Sequence, residues 1–534
     1  MDVTKLEIID GIWQPTEIRM TTKKAKRTLH EKKHTLIISL LLVSLASLVF
    51  LQNVSAQEEQ QLDEILEGFS DDENASEELQ DVLEGFEEED ATGKKFDEGN
   101  EDNILEGFTN EIIASDGEEA AAHLPDWLSV NGYFNISSVY SYLSHDAAGT
   151  ETNWHGLTRL RTELKVELDA DLSKNWQARV SGNVFYDVAY SINGRDNYTD
   201  DVLDNYEKQL QFDAVYLQGI LSKNLDLKAG RQIVVWGRSD NIRITDVLNP
   251  LDLRWPGLVD IEKLRLPVTM TKFDYYIKNW SLSGIALHEV RYNKNPEFGS
   301  DFFPGSQPLP EQESPDAGFA IDNTQFAVSL NGIFRGWDVS FYFADVYSQT
   351  GYVSPVSYIP VPQFEIKHAR IKMIGGAYNL AWGNWLFKTE AAYFDGFEFT
   401  NTPDEEYSRF DALVGSEYSG ISDATISLEV ANRHYFDFDE PLEASPDFQK
   451  EDLFEWALRM TKPYWNDTLN LTFLAGIFGL TGEDGGFQRF TAEYDLTDSV
   501  ELTGGIIFYQ SGDLRRTMDI GDNDRVYFNV QYNF

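Results

Sequence analysis

Ionisable residues recur at every second position in this sequence. In LTRLRTELKVELDA (157–170), Arg159, Arg161, Glu163, Lys165, Glu167 and Asp169 oppose Leu160, Leu164, Val166 and Leu168. In WQARVSGNVFYDV (176–188), Arg179 and Asp187 oppose Trp176, Val180, Val184 and Tyr186. The same reading puts Lys228, Arg370, Lys372, Lys388, Arg433, Arg459 and Arg489 on a charged face, with Glu390, Glu429, Glu455 and Glu493. An extended chain sends successive side chains to opposite faces, so these groups line one side of a sheet. Such a face can do two kinds of work. Opposite charges on neighbouring strands can pair and hold the wall together, or a ladder of cations can guide an anionic solute. Cross-strand pairing is the simpler account of most of them.

Other chemistry has little support. HEKKH (30–34) matches the zinc-protease pattern His-Glu-x-x-His, but it stands in a basic stretch with no third ligand and no flanking helix. The chain has no cysteine, which excludes disulfides and thiolate metal sites. It has eight histidines and no Gly-x-Ser-x-Gly, phosphate-binding loop or Cys/His cluster. No catalytic residue, metal ligand or cofactor is assigned. A Ser–His pair formed between strands is the one enzymatic arrangement left open.

What positions the charged face is a chain in three parts. The first, residues 1–56, reads as a secretory signal peptide. Lys23, Lys24, Lys26, Arg27, Lys32 and Lys33 precede an apolar core of about 16 residues that ends at Val54-Ser55-Ala56. A retained anchor is the alternative. Met20 is the more natural start, so residues 1–19 read as a misassigned beginning.

The second part, residues 57–126, is an acidic tail. Over 57–120 it carries 25 Asp and Glu against Lys94 and Lys95, a net −23 out of −47 for the chain. That composition predicts disorder. Three phrases interrupt it: LDEILEGF, LQDVLEGF and NILEGF. Leu62, Ile65, Leu66 and Phe69 fall at helical spacing, as do Leu79, Val82, Leu83 and Phe86; the third repeat keeps Ile104, Leu105 and Phe108. Two helical turns are not stable alone in water. Each stripe therefore needs a groove, and the tail reads as a multivalent docking element that folds on binding. The alternatives are a solvated spacer, or a tail that sits in the mouth of its own protein.

The third part, residues 127–534, is an all-β transmembrane antiparallel barrel of about 18 strands, with 16 as the alternative count. Segments of ten or more alternating residues run through about 400 residues, with no helical segment to cover a sheet. The simplest arrangement is a closed wall, apolar toward lipid and charged toward a wet lumen. Tight links such as KN (278–279) and RG (335–336) alternate with long ones such as 237–265 and 293–321. An even strand count puts both ends of the barrel, and the acidic tail, in the periplasm. The end, RVYFNVQYNF, resembles the insertion signal of Gram-negative outer-membrane barrels, with Phe534 as the terminal aromatic.

GRQIVVWGRSDNIRITDVLNPLDLR (230–254) contains Gly230, Arg231, Gln232, Trp236, Gly237, Asn249, Pro250 and Asp252. This run resembles the signature of a proteobacterial family of outer-membrane barrels of unassigned function. The segment 237–265 is long enough to fold into the lumen and narrow it, or to be an ordinary surface loop. Arg231 falls in phase with Leu227, Ala229 and Ile233 on the lipid face, so it needs a bulge or a place at the rim.

The resemblance implies an export or trafficking role, because the family often accompanies RND-type inner-membrane transporters. The long-loop layout also resembles alginate-export porins. The leading expectation is an outer-membrane channel or acceptor that docks a periplasmic or RND-type partner through the tail repeats. The others are a passive porin for small polar or anionic solutes and a structural or adhesive barrel. Expected partners are outer-membrane lipid, lipopolysaccharide and the barrel-assembly machinery. The acidity disfavours nucleic acid.

Overall fold

The structure is a computed structural model. It describes residues 5–9, 12–16 and 124–534, except 144–145, 148, 151, 320, 358–362 and 404. The three acidic repeats, with the residues expected to dock a partner, lie outside the described residues, as does the apolar run expected to be the core of a signal peptide. The chain divides into two units, Met1–Asn110 and Glu111–Phe534. In the first, Lys5–Ile9 pairs antiparallel with Ile12–Thr16.

In the second unit the first strands are β1 (Leu128–Ser141), β2 (Gly156–Ser173), β3 (Trp176–Asp187), β4 (Lys208–Ser222), β5 (Leu225–Gln232) and β6 (Val268–Ile277). Next come β7 (Trp280–Leu287), β8 (Gln325–Phe334), β9 (Trp337–Tyr347), β10 (Arg370–Trp382), β11 (Trp385–Phe397) and β12 (Tyr407–Ile421). The last are β13 (Ala424–Tyr435), β14 (Asp452–Tyr464), β15 (Leu469–Phe478), β16 (Gly486–Thr497), β17 (Val500–Gln510) and β18 (Arg525–Asn533). All 18 form one closed barrel of antiparallel neighbours. β18 closes on β1, and Phe534 exchanges backbone hydrogen bonds with Gly132 at 2.9 and 3.0 Å at that seam.

Short turns lie at one rim and every long connection at the other. The rim of short turns also holds both ends of the barrel. Alternation dictates the wall. Leu164, Val184, Phe273, Phe341, Ile374, Val414, Phe490 and Phe528 stand exposed on the outer face. A soluble sheet would bury such a set; left outward on a closed sheet, it requires lipid. Trp337, Trp382, Trp385 and Trp465 are exposed beside the short turns, where amphipathic rings suit a membrane interface. The molecule is therefore a transmembrane β-barrel. No described helix is long and apolar enough to cross a membrane.

The apolar run that follows Gly230-Arg231-Gln232 in the sequence does not extend the wall. The wall ends at Gln232, and the chain then turns into the barrel. Val234, Trp236, Ile242, Ile244 and Leu248 pack there against Met270, Ile285, Leu287, Tyr342, Ala344, Ile371 and Met373. The long-loop half of the lumen thus holds an apolar core.

Candidate functional site

The in-folded connection, residues 233–267, is built on the motif residues. Gly230 has φ 128°, and a Cβ there would lie 2.2 Å from the Val215 carbonyl oxygen. Only glycine suits that crowded backbone. Gln232 is buried and donates to the Met270 carbonyl at 3.2 Å. Asn249 is fully buried and ties the two ends of the loop together. Its oxygen accepts from the Val234 N–H at 2.8 Å, while its amide donates to Gln232 O at 3.3 Å and Leu266 O at 2.8 Å. The Pro250 carbonyl accepts from the Leu266 N–H at 2.7 Å. Asp252 holds Arg254 with two bonds of 2.9 and 2.6 Å. Burial works against the Asp252 charge, but the hydrogen bonds and charge of Arg254 outweigh it and hold the carboxyl below its usual range.

Beyond Trp236, which stacks on Tyr342 at 4.8 Å, the loop is caught by two wall carboxylates. Glu390 of β11 accepts from the backbone N–H groups of Arg238, Ser239 and Thr245 and from the Thr245 hydroxyl. Glu429 of β13 accepts from Asp240 N at 2.8 Å and Asn241 N at 3.0 Å. Gly237 has φ 87°, and a Cβ would stand 2.7 Å from Glu390. Arg238 pairs with Asp338 of β9 at 2.6 Å, and Lys388 with Asp240. Farther on, Asp260 pairs with Arg459 at 3.2 Å and with Arg489. Pro256 O accepts from the Tyr509 hydroxyl at 2.7 Å. Trp255 lies under Arg159 and Arg161 of β2, 4.3 and 4.6 Å from its ring. The loop therefore touches β2 and β11, which stand half a ring apart. A cavity of about 180 Å3 remains beside it, lined by Asp240, Asp260, Glu262, Glu417 and Arg459.

The connection 288–324 also enters. Lys294 exchanges backbone hydrogen bonds with Leu251 and Leu253, and its ammonium donates to Gln209 and Gln211 at 3.0 Å each. Burial, then Arg254, pushes the Lys294 ammonium down to about 8. Burial, then Asp201, raises Glu297 to about 6.

The charges read as lumenal divide three ways. Arg159, Arg161, Lys165, Arg179, Arg433 and Arg459 face inward. Of these, Lys165 pairs with Glu167 at 2.8 Å and Arg179 with Asp169, its direct cross-strand neighbour, at 2.6 Å. Arg433 meets Asp411 at 3.4 Å and also Glu455. Glu390 and Glu429 serve the loop instead of a cation ladder. Arg370 and Lys372 are a correction. They face outward, with Ile371 and Met373 of the same strand buried inside. Arg370 pairs with Asp345 on the outer face, and Lys372 sits opposite Asp345 and Asp395. Above the membrane belt the outer face is polar and the inner face is covered by the loop, so the phase inverts.

Arg231 does point outward. It lies one residue from the end of β5 and pairs with Glu289 at 2.7 Å, which also accepts from Thr269 of the intervening strand. An ion pair at the long-loop rim accommodates it.

A family model described as "Protein of unknown function (DUF1302)" matches residues 113–534. The chain belongs to this family. No relative is found among curated proteins. Among solved structures, it is similar to OccAB1 of Acinetobacter baumannii at 11% identity, covering 76% of this chain and 96% of that one with a TM-score of 0.45. OccK9 (OpdG) of Pseudomonas aeruginosa is 9% identical over 76% of this chain and 98% of its own, with a TM-score of 0.43. A loop-deletion mutant of OmpT, an outer membrane protein of Vibrio cholerae, is 9% identical over 77% and 100%, with a TM-score of 0.36.

Sequence reasoning missed Arg525 and the roles of Trp255 and Tyr342. Arg525 was legible in phase, since Val526 and Phe528 face outward. The partners of Trp255 and Tyr342 had no local signal.

Proposed function

We propose that this chain is an outer-membrane channel of a Gram-negative envelope, its conduit set by the loop 233–267 and its tail in the periplasm. The observation that carries the reading is a loop fastened between β2 and β11 across a wall that is apolar outside and charged inside. A structural barrel needs no such internal device. A preference for small anionic solutes is supported by Lys228 and Lys272, which are direct cross-strand neighbours on the inner face. Like charges in that position repel and weaken a sheet, and Lys272 has Asp274 at 2.7 Å whereas among the described residues Lys228 has no ion pair and rests on the Tyr216 ring at 3.8 Å. Planar-bilayer recording of the purified full chain tests both claims. Steady openings with a reversal potential on the anion side support them; a silent chain sinks the channel.

A second reading concerns partners. Three matching apolar stripes in the tail favour docking of a periplasmic or RND-type component, and the 230–254 motif is in keeping with the family association. Capture by the full chain should be lost when Leu66, Phe69, Leu83, Phe86, Leu105 and Phe108 become alanine. An unchanged catch rejects docking. Lipopolysaccharide and the barrel-assembly machinery are the partners that membrane residence itself calls for, the latter through Phe534.

A further inference from the structure

We propose that the pocket between β2, β18 and the Trp255 segment holds a single small monovalent anion of halide size. This goes beyond the channel reading and does not depend on what crosses the pore.

The argument begins with charge. Three guanidinium groups line the pocket, those of Arg159, Arg161 and Arg525, against two carboxylates, Asp187 and Asp301. Arg161 approaches Asp187 at 3.5 Å, and Arg525 pairs with Asp301 at 2.9 Å. Arg159 makes no ion pair or hydrogen bond among the described residues; its guanidinium rests on Trp255. Arg254, on the same ring at 4.5 Å, is already satisfied by Asp252. Among the described residues one positive charge is left without a counter-charge.

Hydrogen bonding points to the same place. Among the described residues the Nε of Arg161 faces the Asp187 carboxylate at 3.5 Å without a hydrogen bond, and the Nη2 of Arg525 is buried without an acceptor. Their residues are only 6% and 2% exposed. A buried donor on a charged group is costly to leave unpaired. Both belong to residues that line the same void.

Size then selects the ligand. The void is about 10 Å3, on the order of the space for one water, so only a monatomic anion comes near it in size. A phosphate or a solute carboxylate does not fit. Water would meet the donors but not the surplus charge. Trp154, Tyr190, Trp255 and Leu258 also line the void and favour a weakly hydrated ion. With the anion in place, β2 and β18 are bound to the constriction loop through Trp255.

The test uses the full chain in detergent. Crystals grown in bromide should give an anomalous peak within hydrogen-bond reach of Arg161 Nε and Arg525 Nη2. Thermal stability should rise logarithmically with bromide or chloride relative to gluconate at equal ionic strength. Arg159→Gln removes the surplus charge, and should abolish both the peak and the halide dependence. A water at the position in bromide-grown crystals, or equal melting in halide and gluconate, overturns the proposal. Should the variant not fold, the bromide crystals of the native chain decide alone.

Discussion

The Glu390 carboxylate of β11 receives the backbone N–H of Ser239 at 2.8 Å, although 151 residues separate the two. Glu390 is 3% exposed and Glu429 is fully buried. Two wall carboxylates thus take the place of a partner strand for the stretch 238–245 of the loop, and they satisfy backbone donors that would otherwise be orphaned inside the barrel.

Removing that support should loosen the constriction. Glu390→Ala leaves the N–H groups of Arg238, Ser239 and Thr245 without their acceptor. The expected loss is roughly 2–4 kcal/mol, from about 1–3 kcal/mol for each buried group left unsatisfied and partial relaxation. Single-channel conductance should increase and become noisier, while the barrel persists in circular dichroism. Unchanged conductance would separate Glu390 from the gauge of the pore.

Asn249→Ala acts on the other end of the same device. Val234, Gln232 and Leu266 lose a shared partner in a fully buried place. A destabilisation of about 2–3 kcal/mol is expected, read as a lower melting temperature. Protease cleavage within 233–267 should appear in the variant and not in the native chain. Equal protease resistance would reject the clamp.

Lys294 gives a pH signature. In the folded barrel it titrates near 8, against 10.5 for a free side chain, so the folded form sheds its proton first. The unfolded chain holds more protons between those values, and stability therefore rises with pH from about 8 to 10.5. The lumen loses a positive charge over the lower part of that window. Anion selectivity, measured as reversal potential, should fall between pH 7 and 9, and Lys294→Met should flatten that step. A pH-independent native profile would contradict it.

Lys228→Glu converts the repelling pair with Lys272 into an attracting one. Selectivity should move toward cations while stability stays level or rises by about 0.2–1 kcal/mol. A reversal potential that does not move would mean that the permeating ion does not pass this face.

Much of the fold was legible because period-two alternation is a local property. Strand number, the outward set from Leu164 to Phe528 and the short and long links all follow from it. The motif residues flagged 230–254, but their spacing does not say that Asn249 bridges Val234 to Leu266 or that Gly237 sits beside Glu390.

By itself the sequence determined a membrane wall, because apolar and charged residues alternate through about 400 residues with no helical segment to cover the apolar face, which lipid can cover on a closed sheet. Which face was wet near the long-loop rim, the tertiary structure decided. Arg370 and Lys372 point out and Ile371 and Met373 point in, because the loop 233–267 returns to cover the inner wall there. Alternation encodes the difference between two faces. The identity of what lies against each is set by contacts between residues distant in the chain.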